Sequence, residues 1–203
     1  MLTLALPKGR LLEPLARHFG ARGVGLEDAV RRAGRALVAE TDGLRLLLLK
    51  DADVPVYVEQ GVADCGVAGL DQVLEHGVDV MRVLRLPFGA CRLCLIGAAE
   101  LREEGRPVVL ATKYPVLTAR LAARRGVSAR VVPLSGSVEL AARLGLADAV
   151  VDLVETGRTL RENGLQVLEE WLPVAPYVIV NRAAFHIRRD EIGALRRTLG
   201  GGA

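Results

Sequence analysis

The chain has 203 residues, of which 51% are apolar, 25% are charged and only 3% are aromatic. This composition is typical of one or two globular domains with an aliphatic core, and it excludes disordered, collagen-like and disulfide-scaffold proteins. The 27 basic and 24 acidic side chains are interspersed and give a formal net charge of +3, which disfavours a nucleic-acid-binding surface.

The cysteines and the first residues of the chain indicate a reducing compartment. Cys65, Cys91 and Cys94 cannot form a disulfide framework. No signal-peptide pattern opens the chain, because the charged residues Lys8 and Arg10 follow a short apolar-rich stretch. No segment approaches the ~20 apolar residues that span a bilayer. We therefore expect a cytoplasmic protein that binds neither membrane nor nucleic acid.

Short apolar runs alternate with helical patterns along the chain, which predicts an α/β fold. Strands are predicted at Leu2–Leu6, Ala36–Glu40, Leu44–Leu49, Asp64–Ala68, Val78–Leu86, Cys91–Gly97, Val108–Thr112, Ala129–Pro133, Ala149–Leu153, Leu165–Trp171 and Tyr177–Asn181. Helices are predicted at Leu11–Arg22, Val54–Gln60, Asp71–His76, Pro115–Arg125, Ser137–Gly145, Gly157–Glu162 and Arg188–Leu199.

Two proline-containing segments, 86–89 and 173–176, interrupt this alternation. If both are crossings of one hinge, the stretch between them is a second domain inserted into the first. The expected boundaries are then 1–87 plus 176–203 for a discontinuous domain I, and 88–175 for domain II. The alternative is one larger sheet with two ordinary loops.

The most informative local pattern is a predicted strand that contains Asp152 and is followed by Glu155 and the turn Thr156-Gly157-Arg158-Thr159. Backbone N–H groups at a helix start, a glycine that allows close approach and two hydroxyls suit a phosphate monoester. A carboxylate near the carboxyl end of a strand can accept the hydroxyls of a ribose. A plain strand–helix junction with Thr156 as the N-cap is the alternative.

Two further strand-to-helix junctions carry candidate anion contacts. Lys8 and Arg10 follow the first predicted strand and could face a pyrophosphate, although no Walker loop is present. The segment from Gly66 to Gly69 is interpreted as a turn that precedes Asp71 and could hold a nucleotide or another anion, but a glycine pair is a weak motif. A solvated basic turn and a helix-capping Asp71 are the respective alternatives. Lys50 and Arg45 are candidates for extra anion contacts or for ordinary surface charges.

Cysteine and histidine residues add no catalytic motif. Cys91 and Cys94 have CxxC spacing but lack the second ligand pair of a structural zinc site, so they indicate packing residues. His18, His76 and His186 lie in no recognisable triad, and we interpret them as surface residues.

The sequence from Glu139 to Leu160 resembles the signature of the ATP phosphoribosyltransferase family, with Glu139, Gly145, Asp152 and the Thr-Gly-Arg-Thr turn at matching spacing. The opening Leu-Pro-Lys-Gly-Arg-Leu and the stretch from residue 53 to 71 are also similar to that family, so the resemblance covers essentially the whole chain. It implies two α/β domains like those of type II periplasmic binding proteins, with the active site in the interdomain cleft.

The resemblance also implies a subtype and its partners. The chain stops at Ala203 without the C-terminal histidine-sensing domain of long-form members, so it resembles the short form. Short-form members work with a separate regulatory subunit similar to histidyl-tRNA synthetase. We therefore expect homo-oligomers and hetero-oligomers.

The reaction implied by the resemblance is a pentosyltransferase reaction, the first step of histidine biosynthesis. The phosphoribosyl group of phosphoribosyl pyrophosphate is transferred to N1 of ATP, and pyrophosphate is released. Positioning two polyanionic substrates requires cations and oriented N–H groups, and Mg²⁺ offsets the pyrophosphate charge.

Roles for individual residues follow from the same resemblance. Asp152, with Glu155, holds the ribose hydroxyls or the metal. Thr156, Gly157, Arg158 and Thr159 would form the loop that binds the 5-phosphate. Lys8 and Arg10 would face pyrophosphate or the ATP phosphates, and Gly69 and Asp71 would help to place ATP. Glu139 matches the signature and would contact substrate or support the loop. No residue stands out as a general base.

Two other functions remain open at this point. A bilobal small-molecule-binding protein would share the architecture without catalysis, but such proteins are normally exported. Another phosphoribosyltransferase, such as a nucleobase-salvage enzyme, typically has two adjacent acids before the Thr-Gly turn, whereas Asp152 is flanked here by Val151 and Leu153.

Overall fold

The computed structural model describes residues 1–33, 36–41, 43–98, 101 and 105–200, and its strands form two separate sheets. Each sheet belongs to its own compact unit. Unit 1 contains Met1–Gly89 and Ala175–Ala203, and unit 2 contains Ala90–Val174. The predicted α/β class with two α/β domains is therefore confirmed, and a single larger sheet is excluded.

The described residues form eleven strands and nine helices. The strands are β1 (Leu2–Pro7), β2 (Val38–Thr41), β3 (Leu44–Leu49), β4 (Cys65–Gly69), β5 (Val80–Arg85), β6 (Cys91–Gly97), β7 (Val108–Thr112), β8 (Ala129–Pro133), β9 (Ala149–Val154), β10 (Gln166–Val174) and β11 (Pro176–Asn181). The helices are α1 (Leu12–Gly20), α2 (Leu26–Ala33), α3 (Val54–Glu59), α4 (Leu70–His76), α5 (Pro115–Arg124), α6 (Val138–Arg143), α7 (Arg158–Glu162), α8 (Arg182–Ile187) and α9 (Arg189–Gly200).

The sheet of unit 1 has the strand order β2-β3-β1-β4-β11-β5. Strand β1 runs parallel to β3 and β4, whereas β11 runs antiparallel to β4 and β5. Alternate residues of β1 pack into two different hydrophobic clusters. Leu4 and Leu6 pack with Phe19, whereas Ala5 packs with Val54 and Val58. Burial on both faces explains the nearly continuous apolar run of this strand.

The sheet of unit 2 has the strand order β10-β6-β9-β7-β8. Strand β7 runs parallel to β8 and β9, and β6 runs antiparallel to β9 and β10. Helices α6 and α7 cover one face through Val138 and Leu160, which join the core cluster containing Cys94. Cys91 and Cys94 are both buried free thiols, which confirms their interpretation as packing residues.

Two helices were missing from the sequence-based assignment. Helix α2 is short and rich in charged residues, although Leu26, Ala29 and Val30 give it a helical spacing of apolar side chains. Helix α8 follows β11 without a loop, and its start is marked by Asn181, whose Oδ1 accepts a hydrogen bond from the Ala184 N–H at 3.1 Å. Among the described residues, no helix is long and apolar enough to cross a membrane.

The interpretation of His18 as a surface residue is wrong. This side chain is only 9% exposed, and its Nε2 lies 3.0 Å from the Leu199 carbonyl oxygen in α9. Burial lowers the pKa of His18, an effect that the Leu199 hydrogen bond opposes and the nearby Arg22 guanidinium reinforces. His76 and His186 are exposed, as expected.

Candidate active site

The signature residues of unit 2 lie at the carboxyl edge of its parallel strands. Strand β9 carries Asp152, which is buried, and ends two residues later at Val154. The segment 155–157 then leads directly into α7, and the side chains of Glu155, Thr156 and Thr159 are exposed there. Because β7 and β8 run parallel to β9, their carboxyl ends share this edge.

The turn that follows β9 depends on a left-handed glycine. Gly157 has a φ of 70° and is the N-cap residue of α7. The Arg158 N–H donates to Thr156 Oγ1 at 3.4 Å. The alternative with Thr156 as the N-cap is off by one residue, because α7 has Gly157 as its N-cap residue. Helix α7 has only five residues, so its macrodipole is small. The N–H groups and hydroxyls of the turn itself are therefore the available anion donors.

Asp152 is held at both carboxylate oxygens. Its Oδ2 lies 3.2 Å from the Lys113 Nζ, and its Oδ1 accepts a hydrogen bond from the Leu153 N–H at 2.8 Å. Lys113 follows β7 directly, so the parallel pairing of β7 with β9 brings these two side chains together. Sequence reasoning missed Lys113; its signal was a rare lysine placed immediately after a predicted strand.

A buried hydroxyl network fixes the backbone around this pair. The Thr112 hydroxyl donates to the Val151 carbonyl at 2.7 Å, and it accepts hydrogen bonds from the Tyr114 N–H at 2.9 Å and the Thr118 hydroxyl at 3.2 Å. Thr112 and Thr118 are fully buried. The residues that flank Lys113 and precede Asp152 are therefore rigidly connected.

Glu139 lies beside the same edge. It is half-buried in the first turn of α6, which packs against β9. The residue that begins this helix, Ser137, has a φ of 49°, which is unusual for a residue other than glycine. Glu139 therefore belongs to a helix that packs against the strand carrying Asp152.

The Lys8–Arg10 turn lies at the carboxyl edge of the unit 1 sheet, and hydrogen bonds connect it to the end of β3 and the residues that follow. The Lys8 N–H donates to the Leu49 carbonyl at 2.8 Å, and the Gly9 N–H donates to Asp51 Oδ1 at 3.2 Å. A Cβ on Gly9 would lie 2.8 Å from both Asp51 carboxylate oxygens, so a larger residue there would displace the Asp51 carboxylate from its contact with the Gly9 N–H. Lys8 and Arg10 are exposed on either side of it. Sequence reasoning did not identify Asp51.

Gly69 and Asp71 form a compact junction between β4 and α4. Asp71 is only 4% exposed, and a Cβ on Gly69 would lie 2.1 Å from Asp71 Oδ1. The carboxylate therefore folds back over the glycine. Gly66 is different, because it lies inside β4 and packs against Val54 and Val58. The interpretation of the Gly66–Gly69 segment as a turn is wrong.

The predicted site residues, together with Gly9, Asp51 and Lys113, which the sequence did not predict, fall into two sets. The unit 1 edge set is Lys8, Gly9, Arg10, Asp51, Gly69 and Asp71, at the carboxyl ends of β1, β3 and β4. The unit 2 edge set is Lys113, Glu139, Asp152, Glu155, Thr156, Gly157, Arg158 and Thr159. Lys50, directly after β3, and Arg45, within β3, are exposed. Carboxyl ends of parallel strands are where open α/β sheets bind ligands.

The fold is that of the type II periplasmic-binding-protein class. The structure aligns with the alkanesulfonate-binding protein SsuA from Xanthomonas axonopodis pv. citri, with a TM-score of 0.59 and 15% identity over 98% of this chain and 71% of that chain. The VFT2 domain of BvgS from Bordetella pertussis aligns with a TM-score of 0.59 and 12% identity over 100% and 88% of the chains. These identities show the fold alone.

Sequence comparison goes further than the fold. The family model described as HisG: ATP phosphoribosyltransferase matches residues 50–201. The ATP phosphoribosyltransferase from Deinococcus deserti is 47% identical to this chain, over 96% of this chain and 89% of that protein. The ATP phosphoribosyltransferase from Aquifex aeolicus is 42% identical, over 95% of this chain and 90% of that protein. The chain therefore belongs to the ATP phosphoribosyltransferase family.

A solved structure agrees with this membership. The ATP phosphoribosyl transferase (HisG:HisZ) complex from Thermotoga maritima aligns with a TM-score of 0.86 and 34% identity over 98% of this chain and 96% of that chain. The protein is thus a pentosyltransferase that joins the phosphoribosyl group of phosphoribosyl pyrophosphate to ATP in the first step of histidine biosynthesis. This confirms the expected function over the binding-protein and nucleobase-salvage alternatives.

Proposed function

We propose that the unit 2 edge set binds phosphoribosyl pyrophosphate and that the unit 1 edge set binds ATP and the leaving pyrophosphate. The observation that carries this proposal is the segment after β9, where a left-handed Gly157 and exposed hydroxyls follow a buried carboxylate. Domain boundaries at 1–87 plus 176–203 and at 88–175 belong to the same proposal.

The 5-phosphate would bind the turn that precedes α7. Left-handed Gly157 followed by right-handed residues directs successive N–H groups toward one point, a backbone arrangement that binds anions. The Thr156 and Thr159 hydroxyls can add donors. The Arg158 side chain pairs with Glu162 through Nε at 3.0 Å on the exposed surface, and its other guanidinium N–H groups can add donors to the phosphate.

The ribose would bind Asp152. A carboxylate has about four acceptor sites, and the Lys113 ammonium and Leu153 N–H use one on each oxygen. The remaining acceptor sites can take the two ribose hydroxyls. Glu155 is exposed one residue beyond β9 and can assist.

The chemical step forms the bond between adenine N1 and ribose C1 and breaks the bond between C1 and the pyrophosphate oxygen. Positive charge develops on the sugar while a polyanion departs, so fixed cations stabilise the transition state. Lys8 and Arg10 would take that role for pyrophosphate. Gly69 and Asp71 would place ATP, and Glu139 would support the 5-phosphate segment. No general base is required, because N1 attacks through its own lone pair.

Mg²⁺ fits this scheme as a metal held mainly by substrate. Within the described part of the chain, no three His, Cys, Asp or Glu side chains are grouped as metal ligands. Mg²⁺ commonly binds one or two carboxylates together with substrate phosphates, and Asp152 would supply such a carboxylate in place of a contact with a ribose hydroxyl. When bound, the metal offsets the pyrophosphate charge.

We also propose a cytoplasmic short-form enzyme that assembles with copies of itself and with a histidyl-tRNA-synthetase-like regulatory subunit. The support is the structural similarity to the chain of a HisG:HisZ complex over nearly its whole length. The chain also covers 89% and 90% of two curated relatives.

The test is release of pyrophosphate from mixtures of the purified chain, ATP, phosphoribosyl pyrophosphate and Mg²⁺, with and without the candidate regulatory subunit. We expect release that requires both substrates and Mg²⁺. Omission of either substrate is the control. Release without ATP, or no release in any mixture, would contradict phosphoribosyl transfer to ATP by this chain.

A further inference from the structure

Lysine is rare in this chain and its placement is not random. Of the 27 basic side chains only three are lysines, and each follows directly on a strand of a parallel pair. Lys8 follows β1, Lys50 follows β3 and Lys113 follows β7. All three therefore lie at the sheet edges where α/β proteins bind ligands. Lys113 is the one whose side-chain partner the structure defines.

Lys113 contacts Asp152 from a rigid position. The Thr112 hydroxyl network fixes the chain on one side of it, and α5 begins at Pro115 on the other. The side chain of Lys113 is 39% exposed, whereas that of Asp152 is 13% exposed. The ammonium therefore reaches from the solvent side to a largely buried carboxylate.

The charge of this pair matters for a polyanionic substrate. An unpaired carboxylate beside a sugar phosphate would repel it, and burial strengthens that repulsion because the local dielectric constant is lower. Lys113 neutralises the carboxylate and restrains its orientation, while leaving acceptor sites for hydroxyl groups.

We propose that Lys113 is a positioning residue for phosphoribosyl pyrophosphate, acting through Asp152 and not by contact with the substrate. This inference rests on the proposed function of the unit 2 edge set. The inference predicts that replacing Lys113 no longer weakens the binding of phosphoribosyl pyrophosphate once Asp152 has been replaced by an uncharged residue.

The chain offers a matched control across the same two strands. Arg106 pairs with Asp148 at the amino ends of β7 and β9, with both Nη–Oδ distances at 2.8 Å. Arg106→Gln breaks an ion pair of similar sequence separation at the opposite edge of the sheet. It should therefore reproduce any general loss of strand pairing without changing substrate affinity.

The first measurement is steady-state kinetics of Lys113→Gln in the assembly that is active as wild type. We expect the KM for phosphoribosyl pyrophosphate to rise about tenfold, consistent with loss of one charge-assisted contact, and the KM for ATP to stay within about twofold. Arg106→Gln should leave both constants unchanged. An unchanged KM for phosphoribosyl pyrophosphate in Lys113→Gln would overturn the inference.

The second measurement is a double-mutant cycle on the Kd of phosphoribosyl pyrophosphate by calorimetry. Adding Lys113→Gln to Asp152→Asn should weaken binding by less than about threefold, because coupled residues are not additive. An undiminished tenfold loss would show that Lys113 contacts the substrate directly and would overturn the positioning role.

Should Asp152→Asn bind too weakly for titration, a crystal structure of Lys113→Gln decides the matter. Rotation of the Asp152 carboxylate away from its wild-type orientation is expected, and an unmoved carboxylate overturns the inference. Failure of the proposed site is distinguishable, because Asp152→Asn alone would then leave the Kd of phosphoribosyl pyrophosphate unchanged.

Discussion

Strands β7 and β9 carry an ion pair at each end, and the two pairs are built differently. At the amino end, Asp148 accepts two hydrogen bonds from Arg106 at 2.8 Å and one from the Val109 N–H at 2.7 Å. At the carboxyl end, Asp152 has one ammonium contact at 3.2 Å and one N–H contact. Among the described residues, the Asp148 carboxylate accepts three hydrogen bonds, whereas the Asp152 carboxylate has two polar contacts and keeps acceptor sites for a ligand.

This difference separates a stabilising ion pair from a binding site. The Arg106 hydrogen bonds, assisted by the Val109 N–H, lower the pKa of Asp148 to about 2. Asp152 is the more buried carboxylate, yet it has fewer protein partners. A buried carboxylate with open acceptor sites at the carboxyl end of a parallel strand is typical of a residue that completes its contacts with a ligand.

The largest expected effect comes from exchanging the two aspartates for alanine. Asp152→Ala should lower kcat/KM by about a thousandfold or more, roughly 4 kcal/mol of transition-state stabilisation, because substrate contacts and orientation are both lost. Asp148→Ala should leave kcat/KM nearly unchanged but lower the free energy of unfolding by about 2 kcal/mol, since it removes the ion pair with Arg106 and the side-chain acceptor of the Val109 N–H. Normal turnover in a folded Asp152→Ala variant would remove the site assignment.

Two glycines at the ends of α7 give the next largest effect. Gly157 and Gly164 have φ values of 70° and 69°, so alanine is strained at both and should cost about 1 kcal/mol of stability. Gly157→Ala should also raise the KM for phosphoribosyl pyrophosphate about tenfold, because the N–H groups before α7 are redirected. Gly164→Ala is the matched control, and an equal rise in KM there would mean that the effect is not local to the 5-phosphate segment.

The smallest effect is a pH dependence of stability at the amino-end pair. Because the pKa of Asp148 is lowered to about 2 on folding, its contribution is complete above its ordinary value and is lost as the pH falls toward 2. Allowing for solvent screening of the half-exposed Arg106, we expect wild type to exceed Arg106→Gln by about 1 kcal/mol at pH 7. Chemical denaturation should show this difference vanishing near pH 2. A constant difference across that range would assign the stability to another interaction.

The sequence predicted what depends on local pattern and missed what depends on pairing between strands. Apolar runs located every strand found in the described residues, and the Thr-Gly-Arg-Thr turn located the segment before α7. Lys113 could not be connected with Asp152, because they are 39 residues apart and meet only through the β7–β9 pairing. Asp51 was missed for the same reason, since the β1–β3 pairing brings it to Gly9.

The missed helices and the buried histidine have a related cause. Helix α2 exposes most of its charged residues, so its short apolar spacing carried little weight beside them. His18 is buried because the returning C-terminal helix α9 covers it, and nothing near residue 18 in the sequence indicates that contact.

A crystal structure of the chain with bound phosphoribosyl pyrophosphate tests the site assignment most directly. Electron density for the sugar's 5-phosphate should lie within hydrogen-bond distance of the N–H groups from Gly157 to Thr159, with the ribose hydroxyls on Asp152 and the Lys113 contact intact. A ligand bound at the opposite, Arg106–Asp148 end of the strands would contradict the account. So would a ligand bound anywhere else while the N–H groups from Gly157 to Thr159 contact only water.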